Sequence, residues 1–519
     1  MKSEHAKIVT HNLRQDQTTR LIIFVLFLTA ASFVLRLYGF EKQSLWMDEV
    51  ASLQNARAFG RDGLGGLAAS DHIAPLHSIM LWLVTIGSEA SESLLRLPSL
   101  VFGVMTVPAF AWIVFDMFRS AKFTAIATAL ICVSPYAIWH SQEARMYAPY
   151  LFFSVVFVAL SWRAARGPFG IALWVAIVCF ATLGLYTHHF MALLIVSFGL
   201  YFLGRGGLFN PPAWSWALAI GVAAILFSYW IYLTADKINA AAGTAKPSFV
   251  LWVPYTLLTF SLGQTLGPSI AAIRGAGIAS LISSQGALAG LGGLCVAYLM
   301  YQGMREVLKH ETRSAGIWCV IWMGMPVFLG TLASQISNIS YNPRYVIVSL
   351  PPVLIILASG VLASIRSGGA ERGVVVVFAI LTSIALANLY WNPAYAREEV
   401  RPLVRMLMSR AQPEPLVVAN NSRIWPVLMH YGAHVPAQVL QLEPGETRAA
   451  PNLNGVVETL EKVMKRPDAK VWLIQYRPWE ADPDGVLQKT LDGMGQLKEV
   501  HSWPGVTLRV YATSSPSAN

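Results

Sequence analysis

Long apolar segments with few charged residues recur along most of this chain, and they constrain its fold more than any other feature. The first runs from Leu21 to Tyr38. Ten more lie near residues 94–117, 121–139, 148–162, 171–187, 190–204, 214–234, 276–300, 316–335, 345–365 and 373–391. The pattern predicts a polytopic α-helical membrane protein with about eleven transmembrane helices, since a helix crosses a bilayer in roughly 20 residues. Counting two doubtful stretches, near 74–87 and 250–270, would raise this to about thirteen.

Composition supports the same conclusion. Of 519 residues, 55% are hydrophobic and 13% are charged, whereas soluble proteins have about 25% charged residues. The 38 Lys and Arg exceed the 28 Asp and Glu, which could indicate a nucleic-acid partner. Cytoplasmic loops of membrane proteins also collect basic residues, so we expect a lipid bilayer as the partner and no nucleic acid. The four cysteines lie in apolar runs without CxxC spacing, which predicts neither disulfides nor a zinc site.

The distribution of basic residues predicts the topology. A cleaved signal peptide is the alternative to a first span, but its apolar region would be shorter than 21–38. With about eleven crossings and the N-terminus inside, most basic clusters fall on the cytoplasmic side. These clusters are Arg119/Lys122, Arg163/Arg166, Arg205, Arg305/Lys309/Arg313 and Arg366/Arg372. Residues 74–87 then form a juxtamembrane or re-entrant helix on the outer surface.

The chain divides at about residue 391. We predict a membrane domain over 1–391, in which 41–93 is the first extracytoplasmic loop with juxtamembrane helices. Residues 392–519 have a soluble composition, with strand-like runs at 416–419, 471–474 and 506–510 and amphipathic helices at 398–410 and 456–465. This alternation predicts a small α/β domain, placed outside by parity, in the periplasm of a Gram-negative cell.

Polar residues gather at the predicted outer face. Adjacent acids Asp48 and Glu49 could act as a general base or metal ligands, or could simply begin a helix. Arginines outside go against the positive-inside rule, and phosphate binding would explain them. The candidate phosphate-binding residues are Arg96, Arg145 and Arg344, and the other candidate site residues are Asp71, His72, Glu143, Tyr147, His188, His189 and Tyr345.

The order of these motifs resembles the bacterial glycosyltransferase family 39. The matching stretches are Leu45-Trp46-x-Asp48-Glu49, Asp71…Pro75-Leu76, Leu95-Arg96-Leu97-Pro98-Ser99, Ser134-Pro135…Ser141–Tyr147 and Tyr186-Thr187-His188, with a looser match at Asn342–Tyr345 and Arg397–Arg401. The family includes relatives of protein O-mannosyltransferases and of the aminoarabinose transferase that modifies lipid A. Relatives commonly have Asp-x-His-Pro-Pro-Leu, whereas here His72 is displaced by one position and Ala74 replaces a proline.

The resemblance implies a GT-C fold and inverting transfer of a sugar from a polyprenyl-phosphate-linked donor at the outer face of the inner membrane. Asp48 would be the catalytic base, with Glu49 beside it, and Arg96 matches the family's third-motif arginine. The acceptor hydroxyl would belong to a glycolipid, polysaccharide or protein. No cofactor is certain, and a divalent metal stays open. A transporter or flippase of lipid-linked sugars is the alternative, since it would share the spans and polar groups.

Overall fold

The computed structural model contains two compact units. One comprises residues 1–40, 55–268 and 281–390, and the other comprises residues 41–54, 269–280 and 391–519. We call them the membrane unit and the mixed unit. The described residues are 2–71, 73–167, 170–206, 211–240, 249–269, 272–273, 279, 282–336, 341–409, 416–432, 439–443, 450, 452–466 and 469–513.

Helices account for nearly all secondary structure up to residue 391. They are α1 (Lys2–Leu37), α2 (Met47–Ser70), α3 (Leu76–Thr85), α4 (Glu92–Phe118), α5 (Ala121–Val133), α6 (Pro135–Ser141), α7 (Tyr147–Ala164), α8 (Ile171–Thr187), α9 (Met191–Gly206), α10 (Pro211–Ala240), α11 (Phe249–Leu262), α12 (Ser284–Val307), α13 (Arg313–Ile336), α14 (Leu350–Ser367) and α15 (Gly369–Trp391). A 3₁₀ segment, Pro343–Ser349, leads directly into α14.

Eight helices in the described part are long and apolar enough to cross a membrane. Their segments are Asp16–Leu37, Glu92–Phe118, Tyr147–Ala164, Ala213–Lys237, Ser284–Val307, Arg313–Gln335, Pro343–Ser367 and Gly369–Trp391. α5 and α6 together would make a ninth, and α3, α8 and the Met191–Gly204 part of α9 are shorter apolar helices. The chain is thus a multi-pass membrane protein, and the predicted spans at 171–187 and 190–204 correspond to two of these shorter helices.

The predicted span at 121–139 corresponds to two helices that meet at a bend. α5 and α6 meet at Ser134 with a bend of 53°. Pro135 has no backbone N–H to continue the helix, and the Ser134 hydroxyl accepts from the Ala137 N–H to begin the next one. Residues 142–146 follow the end of α6 and connect it to α7.

Aromatic and branched side chains fill the interior of the membrane unit. Phe110, Tyr150, Phe157 and Trp318 are among its fully buried side chains. α4 packs against α1, α5 and α7, and α12 packs against α14. α12 and α14 are in close contact at Gly303 and Gly360. A Cβ on Gly303 would collide with the Ile356 carbonyl of α14, and a Cβ on Gly360 would collide with the Leu299 carbonyl of α12. Small residues at such a crossing let helices approach in lipid.

The mixed unit contains a five-stranded sheet in the order β2-β1-β3-β5-β4. Its strands are β1 (Leu416–Ala419), β2 (Val439–Gln441), β3 (Lys470–Tyr476), β4 (Gln496–Trp503) and β5 (Val506–Ala512). β1 pairs in parallel with β2 and β3, while β5 is antiparallel to β3 and β4. Its helices are α16 (Arg401–Ser409), α17 (Trp425–His430), α18 (Leu453–Met464) and α19 (Val486–Met494). The predicted strands and both amphipathic helices occur, although α16 begins at Arg401 and not at Glu398.

The β4–β5 hairpin turns at Pro504 and Gly505. Gly505 has a φ of +68°, and a Cβ there would collide with Glu398. Glycine therefore serves both the turn and the close approach of the neighbouring chain. The Pro504 carbonyl accepts from the Glu399 N–H at 2.9 Å, so the hairpin turn positions residues 398–399.

Candidate active site

The break between α5 and α6 is followed by several buried polar side chains, among them Ser141, Glu143 and Arg145. Buried Arg36, from α1, supports this break. Its Nη1 donates to the Cys132 carbonyl (3.2 Å) and its Nη2 to the Ile131 carbonyl (3.3 Å). The last carbonyls of a helix have no intrahelical donor, and for Ile131 the missing donor is the N–H that Pro135 lacks. Arg36 also donates through Nε to the Ser141 hydroxyl at 3.1 Å. It thus joins α1 to both halves of the broken helix.

Two predicted phosphate-binding arginines come together on one aromatic ring. The guanidinium carbon of Arg145 lies 5.9 Å from the ring centroid of Tyr147, and that of Arg344 lies 5.6 Å from the same centroid. Arg344 also lies 5.4 Å from the ring of Tyr345. Ser99 donates to the Arg145 carbonyl at 2.9 Å and fixes the backbone there. The structure therefore unites Arg145, Arg344, Tyr147 and Tyr345, which we call the arginine–tyrosine cluster.

His188 packs beside this cluster. Its ring stacks on Tyr150 at 4.8 Å and lies 5.9 Å from Tyr147 and 5.8 Å from Tyr345. Burial, then His189 and the two cluster arginines, hold the pKa of His188 well below its usual value. Its Nδ1 accepts from the Phe190 N–H at 3.2 Å, so the neutral ring carries its proton on Nε2. His188 thus adds a neutral Nε2–H donor beside the two cations.

Glu143 lies at the same helix break, bound to a histidine that the sequence analysis did not select. Its Oε1 is 2.5 Å from His140 Nδ1, and both side chains are buried. The His140 ring also contacts Tyr136 at 4.5 Å and Tyr147 at 5.0 Å. A histidine in an apolar helix ordinarily indicates a core residue, so only the spacing of His140 and Glu143, three residues apart, could have signalled this pair.

The remaining predicted residues make other contacts in the membrane unit. Arg96 is buried and donates to the Phe40 carbonyl at 2.8 Å. Asp71 accepts from the Asn55 side chain at 2.9 Å and from the Ile73 N–H at 3.3 Å, which is how a residue at the end of α2 shapes a turn. His189 contacts Phe227 at 5.6 Å. His72 lies outside the described residues.

The predicted acidic pair belongs to the mixed unit. Asp48 is half-buried in the first turn of α2, and Glu49 is fully buried. The Glu49 carboxylate accepts from the Trp46 N–H at 3.4 Å, and the Asp48 carbonyl accepts from Ser52. The interpretation as the beginning of a helix is therefore correct for the backbone. Asp48 is the less buried residue of the pair.

Residues far along the chain hold this acidic segment in place. The Ser44 N–H donates to Glu399 at 3.0 Å, and its hydroxyl donates to the Glu398 carbonyl at 2.9 Å. The Leu45 N–H donates to the Tyr431 hydroxyl at 2.6 Å. The segment that precedes Asp48 is thus fixed by the Glu399 carboxylate, the Glu398 carbonyl and the Tyr431 hydroxyl. Nothing in the local sequence could have revealed these contacts.

Arg477 lies against the same segment. Its guanidinium is 5.6 Å from the Trp46 ring, and it forms ion pairs with Glu398 at 2.6 Å and Glu480 at 3.4 Å. Burial would lower the pKa of Arg477, but Glu398, Tyr476 and Glu480 more than reverse this and raise it. Arg477 also has a φ of +44°, a left-handed conformation that non-glycine residues rarely adopt. Such strain persists where surrounding contacts hold it.

Metal binding was left open by the sequence. Among the residues that the structure describes, which omit His72, no three His, Cys, Asp or Glu side chains form a group suited to holding a metal ion.

Comparison with known proteins identifies the fold. No protein-family model matches the sequence, and no curated protein does either. Among solved structures, ArnT from Cupriavidus metallidurans in the apo state superimposes with a TM-score of 0.54 at 14% identity, covering 96% of this chain and 98% of that one. ArnT bound to undecaprenyl phosphate gives 0.52 at 13% identity, with 95% and 98% covered. An Archaeoglobus fulgidus oligosaccharyltransferase, in complex with Zn and sulfate, gives 0.51 at 13%, with 95% and 74% covered. The chain therefore has the fold of the GT-C glycosyltransferases.

Proposed function

We propose that this protein is an inverting glycosyltransferase that moves a sugar from a polyprenyl-phosphate-linked donor to an acceptor hydroxyl at the outer face of the inner membrane. The observation that carries the proposal is the arginine–tyrosine cluster, in a chain with the GT-C fold. Arg145 and Arg344 share the ring of Tyr147 inside a membrane-embedded unit. Charged groups are costly in such a setting and commonly mark a functional site.

The cluster suits a lipid phosphate chemically. A guanidinium that lies on an aromatic face can still donate in its own plane, and its planar donors match phosphate oxygens. The ArnT of Cupriavidus metallidurans binds undecaprenyl phosphate within the same fold. We therefore assign Arg145 and Arg344 to the donor phosphate, with the neutral His188 Nε2–H as a further donor. Arg96 donates to the Phe40 carbonyl. We also assign Arg96 to the donor phosphate, because it matches the arginine of the family's third motif.

Asp48 is assigned the role of general base. An acceptor hydroxyl is a poor nucleophile until a carboxylate removes its proton, a step that contributes roughly 10²–10⁴-fold. Of the acidic pair, Glu49 is fully buried and Asp48 is half-buried, so Asp48 is the more accessible residue. Glu49 supports the local backbone through Trp46.

The proposed reaction is a single displacement. The acceptor oxygen attacks the anomeric carbon and gives its proton to Asp48, while the bond from that carbon to the phosphate oxygen breaks. The departing polyprenyl phosphate gains negative charge, which Arg145 and Arg344 stabilise. One displacement inverts the anomeric centre. The mixed unit, which carries Asp48, is assigned to the periplasmic side and to recognition of the glycolipid, polysaccharide or protein acceptor.

The proposal is tested by comparing glycolipids from wild-type and deletion strains by mass spectrometry. We expect one sugar mass to disappear in the deletion strain and to return with the wild-type gene but not with Asp48→Asn. Glu41→Gln is the matched control, since Glu41 is an exposed acid in the same segment, and it should restore the sugar. Restoration by Asp48→Asn at the wild-type level would refute the assignment of the base.

A second measurement separates a transferase from a transporter. Purified protein in detergent micelles has no two compartments between which a lipid could be moved. A transferase forms glycosylated acceptor from the strain's own polyprenyl-phosphate sugar under these conditions, whereas a flippase forms none. Absence of product with wild-type protein that binds the donor would favour the transporter.

A further inference from the structure

The buried pair of His140 and Glu143 is the strongest feature that the proposed mechanism leaves unused. His140 is 3% exposed and Glu143 is 2% exposed. Glu143 accepts from one nitrogen of the ring, Nδ1, at 2.5 Å. In the part of the chain that the structure describes, the other nitrogen, Nε2, is buried and has no hydrogen-bond partner. A buried polar atom without a hydrogen-bond partner is destabilising, so the site favours a ligand that supplies a partner.

A second unpartnered group lies beside the first. The Tyr136 hydroxyl is also buried without a hydrogen-bond partner among the described residues. Its ring lies 4.5 Å from the ring of His140. Two neighbouring polar groups on α6 thus lack hydrogen-bond partners among the residues that the structure describes. On its other side His140 contacts Tyr147, the residue on which Arg145 and Arg344 lie.

The groups around His140 determine which ligand fits. Glu143 accepts from it, and Tyr136 and Tyr147 contact its ring. Among the elements packed against α6, α1 contributes Arg36, which donates to the neighbouring Ser141, and α11 contributes Tyr255, which interacts with Tyr136. Glu143 is the acid in this set, and it is already engaged at Nδ1. Arg145 and Arg344, which lie on Tyr147, attract an anion to this place, and the ionised Glu143 stabilises the protonated ring that donates Nε2–H to it.

We propose that His140 is a third cationic ligand of the donor's phosphate. This inference rests on the proposed function. In it, Glu143 is a positioning residue that orients His140 and stabilises its protonated form. The imidazolium donates Nδ1–H to Glu143 and Nε2–H to a phosphate oxygen, and the Tyr136 hydroxyl donates to the same anion. Binding of the phosphate is accompanied by uptake of a proton on His140.

The test uses full-length protein in lipid nanodiscs and measures the Kd for undecaprenyl phosphate between pH 5.5 and 8.5. At pH 5.5 we expect His140→Gln to bind on the order of tenfold more weakly than wild type, because a charge-assisted hydrogen bond is lost. This ratio should shrink toward one as the pH rises, because only the protonated ring can donate at both nitrogens. Comparing the two proteins at each pH cancels the titration of the lipid phosphate itself.

Two further variants keep the test decisive. His77→Gln is the matched control, since His77 is equally buried, at 3% exposed, but lies on α3; its Kd should equal that of wild type at every pH. Glu143→Gln keeps an acceptor for Nδ1–H without the charge, so binding should be retained at pH 5.5 and lost at a lower pH than in wild type. This shift would not follow from a merely structural role.

The outcomes separate this inference from the function on which it rests. Wild-type protein that does not bind undecaprenyl phosphate would overturn the proposed function. Wild-type binding together with a wild-type pH profile in folded His140→Gln would overturn the role of His140 and leave the proposed function standing. If His140→Gln does not fold, the pH profile of Glu143→Gln decides, and an unshifted profile overturns the proposal.

Discussion

Replacing Arg36 by Met should loosen the broken helix without altering the rest of the membrane unit. The substitution keeps the apolar stem and removes the donors to the Ile131 and Cys132 carbonyls. A buried acceptor left without a donor costs about 1–3 kcal/mol. Two such carbonyls give about 2–6 kcal/mol, and the Ser32 hydroxyl, which also accepts from Arg36, loses a donor as well.

Cys132 reports on this region directly. Its thiol is buried and donates to the Leu28 carbonyl at 3.3 Å, so a thiol reagent reaches it only when the helix break opens. The rate of modification follows the population of the open state when closing is fast. A loss of about 2 kcal/mol raises that population roughly 30-fold, since each 1.4 kcal/mol is a factor of ten. Modification of Cys132 in Arg36→Met should therefore be at least about 30-fold faster.

The assay uses a membrane-permeant maleimide, and peptide mass spectrometry follows each cysteine separately. Cys319, fully buried in α13, is the internal control, and its rate should not change. Arg36→Lys should give an intermediate rate, because an ammonium has three donors but lacks the fork of the guanidinium. Equal Cys132 rates in wild type and Arg36→Met would refute the argument that Arg36 satisfies the helix break.

Three further predictions concern the site and the topology. Asp48→Asn should lower kcat by about 10²–10⁴-fold with unchanged donor Kd; a drop in donor affinity of the same size would contradict its role as a base. Arg344→Gln should weaken binding of undecaprenyl phosphate on the order of tenfold or more, measured by titration in nanodiscs, and Arg423→Gln, in the mixed unit, should not. Lys122→Cys should be shielded from an impermeant thiol reagent added to intact spheroplasts; labelling there would overturn the predicted cytoplasmic position of the α4–α5 connection.

Much of the architecture could be predicted from local sequence. Hydropathy located the helices, because a lipid environment imposes apolar side chains over whole spans. The run of polar residues at 141–147 indicated a site because charge is scarce elsewhere. The bend at Pro135 was missed, although a proline within an apolar run is a signal for one. Arg36 carried a signal too, as the charged residue inside the first apolar run.

Other parts of the site depend on pairings between distant residues. Arg344 and Arg145 both lie on the ring of Tyr147, although they are far apart in the sequence. No periodicity in the sequence encodes such a contact. The same holds for Arg477 and Trp46. His140 was overlooked because its apolar neighbours are typical of a core helix, and only its spacing to Glu143 distinguishes it.

The dependence of the acidic segment on the end of the chain has a consequence for biosynthesis. Leu45 is hydrogen-bonded to a residue 386 positions later, and Trp46 is covered by Arg477. At translation rates of about 5–20 residues per second, the segment would wait on the order of tens of seconds for its partners. A nascent or truncated chain can therefore insert its helices while its acidic loop has no fixed conformation. Maturation of the acidic segment is complete only when Tyr431 and Arg477 have been synthesised and have folded around it.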